Sequence, residues 1–366
     1  MVTNRRCLTM IAAVTIWSAL FAGAGAAAQT DAASSGWGTA QPVPGLAALN
    51  TGHDAEINLM SCTSAGNCGA AGFYSTSSAQ EAFVVSETNG TWGTAQEIPG
   101  MAALDRGQGS AVSALSCGSA GNCSAVGFYA GLTGVEAFVA DEINGTWGTA
   151  EEVPGTAALN KGGNASTDSV SCASAGNCSA GGSYEDGSFH DQAFVVDETN
   201  GTWGTAQEVP GAGALNVGGH AEIDSVSCAS AGNCSAGGFY DGTQSALKAF
   251  VVTEKNGTWG KAGQVPGIAA LNKGGIASIY SVSCGATGNC SAGGTYKDTA
   301  TTFQAFVVDE TNGTWGKAQE VPGSAALNNG GRAAIGSLSC TSAGHCSAGG
   351  WYTTGSGQQG LVVGRT

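Results

Sequence analysis

The hydrophobic positions of this chain fall in short runs separated by turn residues, and residues 225–267 are one clear copy of the pattern. That stretch reads SVSCASAGNCSAGGFYDGTQSALKAFVVTEKNGTWGKAGQVPG. One apolar run ends at the first cysteine, a second extends from the second cysteine to FY, and a third is AFVV; each has the length and composition of a β-strand. Asn256-Gly257 tolerates the positive φ angles of a two-residue hairpin turn, and a fourth strand is expected from near Trp259 to Pro266. The unit therefore predicts four antiparallel strands and, in the AALN after Pro-Gly, one helical turn.

The unit recurs with a period of about 55 residues, which is typical of propeller blades built from strands. Tryptophans mark its phase: Trp37, Trp92, Trp147, Trp203, Trp259 and Trp315. The chain begins with a fourth-strand segment alone, residues 36–44, and ends after a third strand, residues 361–363. We therefore predict an all-β fold over residues 36–366. It is a six-bladed β-propeller of four-stranded blades, a ring closed by the N-terminal strand completing the last blade.

Residues 1–28 have the pattern of a secretory signal peptide. They contain Arg5 and Arg6, then an apolar run, and end in small residues before Gln29. The apolar run is too short for a typical membrane span. We expect a secreted protein, extracellular or periplasmic, in which residues 29–35 form a flexible lead-in. The paired arginines leave open whether export is by the general or the twin-arginine route.

The cysteines outside the predicted leader occur in pairs with one spacing. They are Cys62 and Cys68, Cys117 and Cys123, Cys172 and Cys178, Cys228 and Cys234, Cys284 and Cys290, and Cys340 and Cys346. An even number at one repeated spacing in an exported protein indicates disulfides within each pair. The spacing does not resemble that of zinc ligands, and histidine lies nearby only once, at His345. We expect no metal and no cofactor.

The charge balance excludes two classes of partner. The chain has 27 acidic and 12 basic residues, a formal net charge of −15. Nucleic acids and anionic membranes both require basic patches, which so few basic residues do not supply. A glycan or an extracellular protein is the partner that remains. The oligomeric state is left open.

Two motifs of the unit resemble known families. The string S-C-x-S-x-x-x-C-x-A-x-G with its N-G-T-W turn resembles repeats of secreted bacterial β-propeller-like proteins, over nearly all of residues 36–366. The segment ETNGTW at residues 87–92 resembles a shortened Asp-box turn of sialidase-type propellers, but it has asparagine for aspartate and one residue fewer. The resemblance implies a propeller fold and an exported protein. It does not imply a function, because propellers host many activities.

One face of the predicted ring carries loops that differ from blade to blade, which is a common arrangement for a binding surface, although neutral divergence gives the same pattern. Each second strand ends in a tyrosine on this face: Tyr74, Tyr129, Tyr184, Tyr240, Tyr296 and Tyr352. Aromatic rings of this kind can stack on sugars, and packing beside the disulfide hairpin is the alternative. Both interpretations remain open from the sequence.

A second set of equivalent positions lies near the start of the innermost strands. It comprises Asn58, Ser113, Asp168, Asp224, Tyr280 and Gly336. Four of these, Asn58, Asp168, Asp224 and Tyr280, are candidate ligand-binding residues. Asp168 and Asp224 on adjacent blades could share a cation or bind a hydroxylated ligand. The alternative is that they are solvated carboxylates in a wet channel.

These observations favour a secreted, non-enzymatic binding module, lectin-like or otherwise directed at an extracellular ligand. Near-identical blades, one divergent face and the lack of a catalytic motif support that prediction, and we assign no catalytic residue. The first alternative is a polysaccharide-active glycoside hydrolase or lyase with acids at the mouth of the channel, such as Asp168 and Asp224. The second alternative is a structural ring on a cell surface.

Overall fold

A computed structural model describes residues 38–243, 246–299 and 301–365. The predicted signal peptide, the lead-in and Trp37 lie outside the described residues. Within them the chain is all-β apart from short helical turns, and its strands form six antiparallel sheets in sequence order. This arrangement is that of a β-propeller-like fold and confirms the all-β part of the prediction.

The first three sheets have the following strands. Sheet 1 contains β1 (Ala55–Ser64), β2 (Asn67–Ser75), β3 (Gln80–Thr88), β4 (Thr91–Trp92) and β5 (Gln96–Glu97). Sheet 2 contains β6 (Ser110–Ser119), β7 (Asn122–Ala130), β8 (Val135–Ile143), β9 (Thr146–Trp147) and β10 (Glu151–Glu152). Sheet 3 contains β11 (Ala165–Ser174), β12 (Asn177–Glu185), β13 (Asp191–Thr199), β14 (Thr202–Trp203) and β15 (Gln207–Glu208).

The other three sheets follow the same plan until the last. Sheet 4 contains β16 (Ala221–Ser230), β17 (Asn233–Asp241), β18 (Leu247–Lys255), β19 (Thr258–Trp259) and β20 (Gly263–Gln264). Sheet 5 contains β21 (Ala277–Ala286), β22 (Asn289–Lys297), β23 (Phe303–Thr311), β24 (Thr314–Trp315) and β25 (Gln319–Glu320). Sheet 6 contains β26 (Ala333–Ser342), β27 (His345–Thr354) and β28 (Gly357–Arg365).

One short helix precedes each sheet at the predicted Pro-Gly-x-x-x-x position. The helices are α1 (Leu46–Leu49), α2 (Met101–Asp105), α3 (Thr156–Leu159), α4 (Ala212–Leu215), α5 (Ile268–Leu271) and α6 (Ser324–Leu327). Each is about one turn, as the sequence predicts. The glycine before each helix has a left-handed backbone, with φ between 77° and 93°. A residue with a side chain adopts that conformation rarely.

The predicted fourth strand is present but broken into two short segments that both pair with the third strand. In sheet 4 these are β19 and β20. Between them Ala262 donates its N–H to the carbonyl of Pro210 in the preceding repeat, at 2.8 Å. The fourth segment therefore divides its hydrogen bonds between two repeats, and a continuous strand cannot form.

The turns and disulfides match the prediction. The asparagine and glycine of each N-G-T-W segment both have positive φ, for example 49° at Asn256 and 75° at Gly257. All six predicted cysteine pairs are disulfides. Each joins the first and second strands of a sheet across a tight turn, as between Cys228 and Cys234.

The core lies between neighbouring sheets. Val84 of sheet 1 and Phe138 of sheet 2 are fully buried in one cluster, together with Trp147. The Trp147 indole N–H also reaches back to the preceding sheet and donates to Ser86 Oγ at 3.1 Å. Phenylalanine and tryptophan recur in sheets 1 to 5 because they attach one sheet to the next.

The ring closure predicted from the chain ends is not shown by the described residues. Residues 38–43 form no strand, and β28 pairs with β27 in a sheet of three strands. Two apolar side chains at the ends of the series are exposed, Met60 on β1 by 58% and Val362 on β28 by 89%. Their equivalents between sheets, such as Val226 and Val84, are buried. Closure of the ring stays a prediction.

Candidate active site

The first strand of every sheet contains one extra residue at the same point. Strand register jumps there, as between Ile223 and Ser225 in β16, so that one residue has no partner on the second strand. The six extra residues are Asn58, Ser113, Asp168, Asp224, Tyr280 and Gly336. They are the set predicted from the repeat to be equivalent. The structure identifies them as β-bulges, which often re-aim side chains beside functional sites.

The bulge explains a glycine that recurs in each second strand. A Cβ atom added at Gly238 would lie 2.0 Å from the carbonyl oxygen of Glu222, and one at Gly182 would lie 2.0 Å from that of Ser166. No side chain fits at these distances, so the bulged backbone requires glycine opposite it. The glycine thereby fixes where the residues of the bulge project.

Three carboxyl groups meet at the bulges of β11 and β16. Glu222 and Asp224 are two positions apart on β16, Asp168 occupies the equivalent bulge of β11, and the charges of Glu222 and Asp168 both act on Asp224. Asp168 Oδ2 accepts a hydrogen bond of 3.1 Å from the Ser166 hydroxyl. Asp224 Oδ2 accepts one of 3.4 Å from Ser278 of the next sheet. The predicted pair of aspartates is therefore part of a larger acidic group on two adjacent sheets, with a hydroxyl donor from a third.

The three acids perturb one another strongly. Burial raises the pKa of Asp168 to about 6, although the hydrogen bond from Ser166 lowers it. Burial and then the charge of Asp168 raise the pKa of Glu222 to about 7. The pKa of Asp224 lies well above its ordinary value, because of burial and then the charges of Glu222 and Asp168. Such a group holds protons near neutral pH and titrates as a unit.

Tyr280 borders this group and Asn58 does not. Tyr280 lies at the bulge of β21 with 43% of its surface exposed. Burial and then the charge of Asp224 raise its phenol pKa. Asn58 lies at the bulge of β1, two sheets before Asp168 in the series. Of the four predicted ligand-binding bulge residues, the structure thus brings three together.

The predicted ring of tyrosines lies mostly in the core. Tyr74, Tyr129, Tyr184, Tyr240 and Tyr296 are between 2% and 5% exposed, and Tyr352 in the last sheet is half-buried. Three of their hydroxyls donate to glutamates of the same sheet, as Tyr74 does to Glu97 Oε2 at 3.3 Å. A ring buried to this extent offers no face to a sugar. The proposed site below does not include these tyrosines.

Glu222 is the member of the site that sequence reasoning missed. The six equivalent positions are Glu56, Ala111, Ser166, Glu222, Ser278 and Ala334. Each of them lies two positions before the bulge residue on the same strand. Only in β16 are both positions acidic. This pair of acids on one strand is the feature of the sequence that identifies Glu222 as a candidate.

A loop beside the acids displays an aromatic ring. The Asp186 carboxylate accepts hydrogen bonds from the N–H groups of Ser188 and His190 at 2.7 and 3.1 Å, and from the Gln192 amide at 3.0 Å. Between these anchors Phe189 has a left-handed backbone, φ 62°, and is 72% exposed. A bulky residue adopts this conformation rarely. The loop is therefore braced internally while its phenyl ring faces solvent.

The Phe189 loop is continuous with the acidic group. Asp191 donates its N–H to the carbonyl of Gly219 at 3.0 Å, and its Oδ2 lies 3.5 Å from Nε2 of His220. The charges of His220 and Asp191 both act on Glu222, the first lowering and the second raising its pKa. Asp191, two residues after Phe189, therefore connects this loop to the acidic group.

The structure gives two further observations about the described residues. No group of three or more histidine, cysteine, aspartate or glutamate side chains in this part of the chain is arranged to hold a metal ion. No helix among the same residues is long and apolar enough to span a bilayer.

No protein-family model matches the chain, and no curated protein matches it. Solved structures do match. A xyloglucanase of family GH74 from Xanthomonas campestris is 14% identical with a TM-score of 0.47, the match covering 87% of this chain and 48% of that one. An ulvan lyase of family PL25 is 10% identical with a TM-score of 0.46, over 83% and 79% of the two chains. A microbial sialidase, Hadza Hz136, is 12% identical with a TM-score of 0.40, over 85% and 65%.

These comparisons correct the prediction of a non-enzymatic binding module. The similar structures named above are two hydrolases and a lyase by their names, and none of the three is named as a binding module. At this level of identity the likeness itself concerns the fold. The case for an activity in this chain has to be made from its acids.

Proposed function

We propose that this protein is a secreted glycoside hydrolase that cleaves a neutral polysaccharide. The observation that carries the proposal is the group formed by Asp168, Glu222 and Asp224, three carboxyls on adjacent sheets whose pKa values are raised to different extents. Hydrolysis of a glycosidic bond requires one carboxyl that holds a proton and one that is ionised. A coupled acidic group near neutral pH supplies both forms.

The roles follow from the order in which the acids ionise. The pKa of Asp168, about 6, lies below that of Glu222, about 7, and Asp168 accepts the Ser166 hydroxyl. It is the carboxylate that acts as base or nucleophile. Glu222, with a pKa of about 7, holds its proton longer and donates it to the leaving oxygen. Burial and then the charges of Glu222 and Asp168 raise the pKa of Asp224, so that Asp224 favours its protonated form beside them.

The surroundings favour a neutral substrate over an anionic one. The charges that act on the three acids come from one another, from Asp191 and from His220. Outside the predicted leader the chain has only three arginines, Arg106, Arg332 and Arg365. A uronate or sialate carboxylate would meet acids here rather than a bidentate guanidinium, so we place a lyase second. The exposed Phe189 ring supplies a stacking face for a neutral sugar.

The test is release of reducing ends from neutral polysaccharides, such as xyloglucan, mixed-linkage glucan and mannan, beside polygalacturonate as the anionic comparison. We expect D168N and E222Q each to lower the rate by about 100-fold or more, because each removes a proton donor or acceptor. Activity should also fall as the pH rises above about 7, where Glu222 loses its proton.

The chain offers a matched control. Glu56 occupies in β1 the position of Glu222 in β16, two residues before Asn58. E56Q should retain activity, and F189A should weaken binding of the polymer while sparing small aryl glycosides. Lack of release from every neutral polymer by a folded protein would remove the hydrolase, and wild-type rates in both D168N and E222Q would remove this site.

The proposal includes a closed ring exported from the cell. Disulfides in every sheet and the absence of a membrane-spanning helix among the described residues are consistent with an extracellular protein. Closure by residues 36–44 would cover the sixth sheet, whose uncovered face includes Gly336 and Gly349.

A further inference from the structure

One repeat departs from the others at the end of its helical turn. Five units have asparagine there, and the second has Asp105 in the sequence LDRGQG. The equivalent residues are Asn50, Asp105, Asn160, Asn216, Asn272 and Asn328. Asp105 is only 1% exposed, so the change from amide to acid occurs in the interior. It has no part in the site proposed above.

The asparagine amide makes the same pair of bonds in three of the other units, those of Asn160, Asn216 and Asn328. Asn160 Nδ2 donates to the carbonyl of Val135 at 3.2 Å and to Glu136 Oε2 at 2.8 Å. Asn328 Nδ2 likewise donates to the carbonyl of Phe303 at 2.8 Å and to Gln304 Oε1 at 2.9 Å. The amide thus ties the loop that enters one sheet to the third strand of the preceding sheet. An ionised aspartate has no N–H and cannot make either bond.

Asp105 instead faces a second acid. Glu81 corresponds to Glu136, is 6% exposed, and accepts a 3.2 Å hydrogen bond from the Ser110 hydroxyl. The Asp105 Oδ1 atom accepts the N–H of Gly107 at 2.8 Å, whereas its buried Oδ2 receives no bond from a hydroxyl or amide. The Glu81 carboxyl forms a side-chain hydrogen bond with Asp105, and such a bond requires a proton on one of the two acids.

No nearby cation replaces the proton. The other groups that act on Glu81 are Asp105 and Glu97, both acids, and the Tyr74 phenol opposite it is bonded to Glu97. The ion pairs among the described residues do not include Arg106, the neighbour of Asp105 in sequence. Two buried carboxyls without a cation are stable together only while they share a proton.

We propose that Glu81 and Asp105 form a proton-dependent latch that holds residues 105–110 against β3 and releases them as the pH rises. The loop is suited to a second conformation because it contains three left-handed residues, Arg106, Gly107 and Gly109. Ser110 at its end is bonded both to Glu81 and to the N–H of Ala82. Ionisation of the pair places two charges at the point where the loop is attached.

The direction of the pH effect on the latch follows from the sign of the pKa shift of Glu81. Burial and then the hydrogen bond with Asp105 raise the pKa of Glu81 from 4.5 to about 7. A carboxyl whose folded pKa is raised contributes stability fully below its unfolded pKa and loses it as the pH rises through the folded value. The latch is therefore closed near pH 5 and weakened near pH 8.

The test is hydrogen exchange of the intact protein at pH 5 and pH 8, followed by mass spectrometry and corrected for intrinsic exchange rates. We expect the peptide covering residues 105–112 of the wild type to lose protection at pH 8 by roughly tenfold or more. D105N restores the asparagine of the other units and should keep that protection at both pH values. E81Q should do so as well.

Asn160 provides the reciprocal variant because it already faces a glutamate. N160D recreates the acid pair in the next repeat and should make residues 160–166 sensitive to pH in the same way. Equal loss of protection in the wild type, D105N and E81Q would overturn the latch, as would an N160D loop that behaves like the wild type. Protection by D105N together with sensitivity in N160D would establish it.

Discussion

Single residues at the junctions between sheets decide how each junction responds to pH. The segment AFVV is followed by one variable residue and then by a glutamate. This glutamate lies near the variable residue of the preceding sheet. Glu198 lies near Asp141, and burial and then this charge raise its pKa to about 7. Where the variable residue of the preceding sheet is Thr253, its hydroxyl donates a hydrogen bond of 2.7 Å to the carboxylate of Glu310. In the last sheet Arg365 replaces the glutamate. It forms an ion pair of 3.2 Å with Asp309, the variable residue of the preceding sheet.

The junction between sheets 2 and 3 should therefore weaken as the pH rises. The pKa of Glu198 is raised from 4.5 to about 7. The protonated carboxyl therefore contributes its full share of folding stability below pH 4.5, and this contribution is lost as the pH rises through about 7. E198Q removes the buried charge, and we expect it to stabilise the protein at pH 8 by about 2 kcal/mol while changing little near pH 4.5. Thermal unfolding at the two pH values measures this.

Glu310 is the matched control for that change. Its carboxylate accepts hydroxyl bonds of 2.8 Å from Ser235 and 2.7 Å from Thr253, so E310Q should lower Tm at both pH values. A uniform effect of E198Q across pH would contradict the role given to the Glu198 charge. The sequence shows which residues stand at each junction, but their burial and their proximity emerge only from the packing of neighbouring sheets.

At the scale of elements, local patterns were sufficient for most of the repeat. Alternating apolar runs, the Asn-Gly turn and the cysteine spacing gave the three long strands, the hairpins and the disulfides. The bulge was not predicted, because its glycine partner, such as Gly238, does not differ in sequence from any other strand glycine. The break in the fourth strand was also missed, since it depends on a bond from Ala262 to Pro210 in another repeat.

The bulge in β16 should be required both for folding and for the site. G238A places a Cβ atom 2.0 Å from the carbonyl oxygen of Glu222, which forces the bulge and Asp224 to move. We expect a loss of stability of roughly 3 kcal/mol or more, or failure to fold. The control G263A introduces a methyl group with no atom within 4 Å and should change Tm little. Equal stability of the two variants would show that the bulge tolerates a side chain.

At the scale of the whole molecule, five junctions share contacts that the sixth should also make. Cys117, Cys172, Cys228, Cys284 and Cys340 each donate their N–H to a serine hydroxyl of the preceding sheet at 3.0 Å. By the same rule Cys62 would bond to Ser339. Ala95 already donates to Pro44 at 2.7 Å, as Ala150 does to Pro99. Residue 44 thus meets the first sheet as the end of a preceding blade does.

A glycine of the last sheet can distinguish a closed ring from an open series of sheets. A Cβ atom at Gly293 would lie 2.7 Å from Cγ2 of Ile335 in the following sheet, whereas one at Gly349 has no atom within 4 Å. In a closed ring Gly349 would face Ile57, the equivalent of Ile335. Closure therefore predicts that G349V is as damaging as G293V, with Tm lowered by roughly 5 °C or more in both variants. I57A should relieve the clash and recover part of the stability of G349V, which a general cost of valine in β27 would not allow. Wild-type Tm in G349V, beside a destabilised G293V, would leave the sixth sheet uncovered and rule out closure by the N-terminal strand.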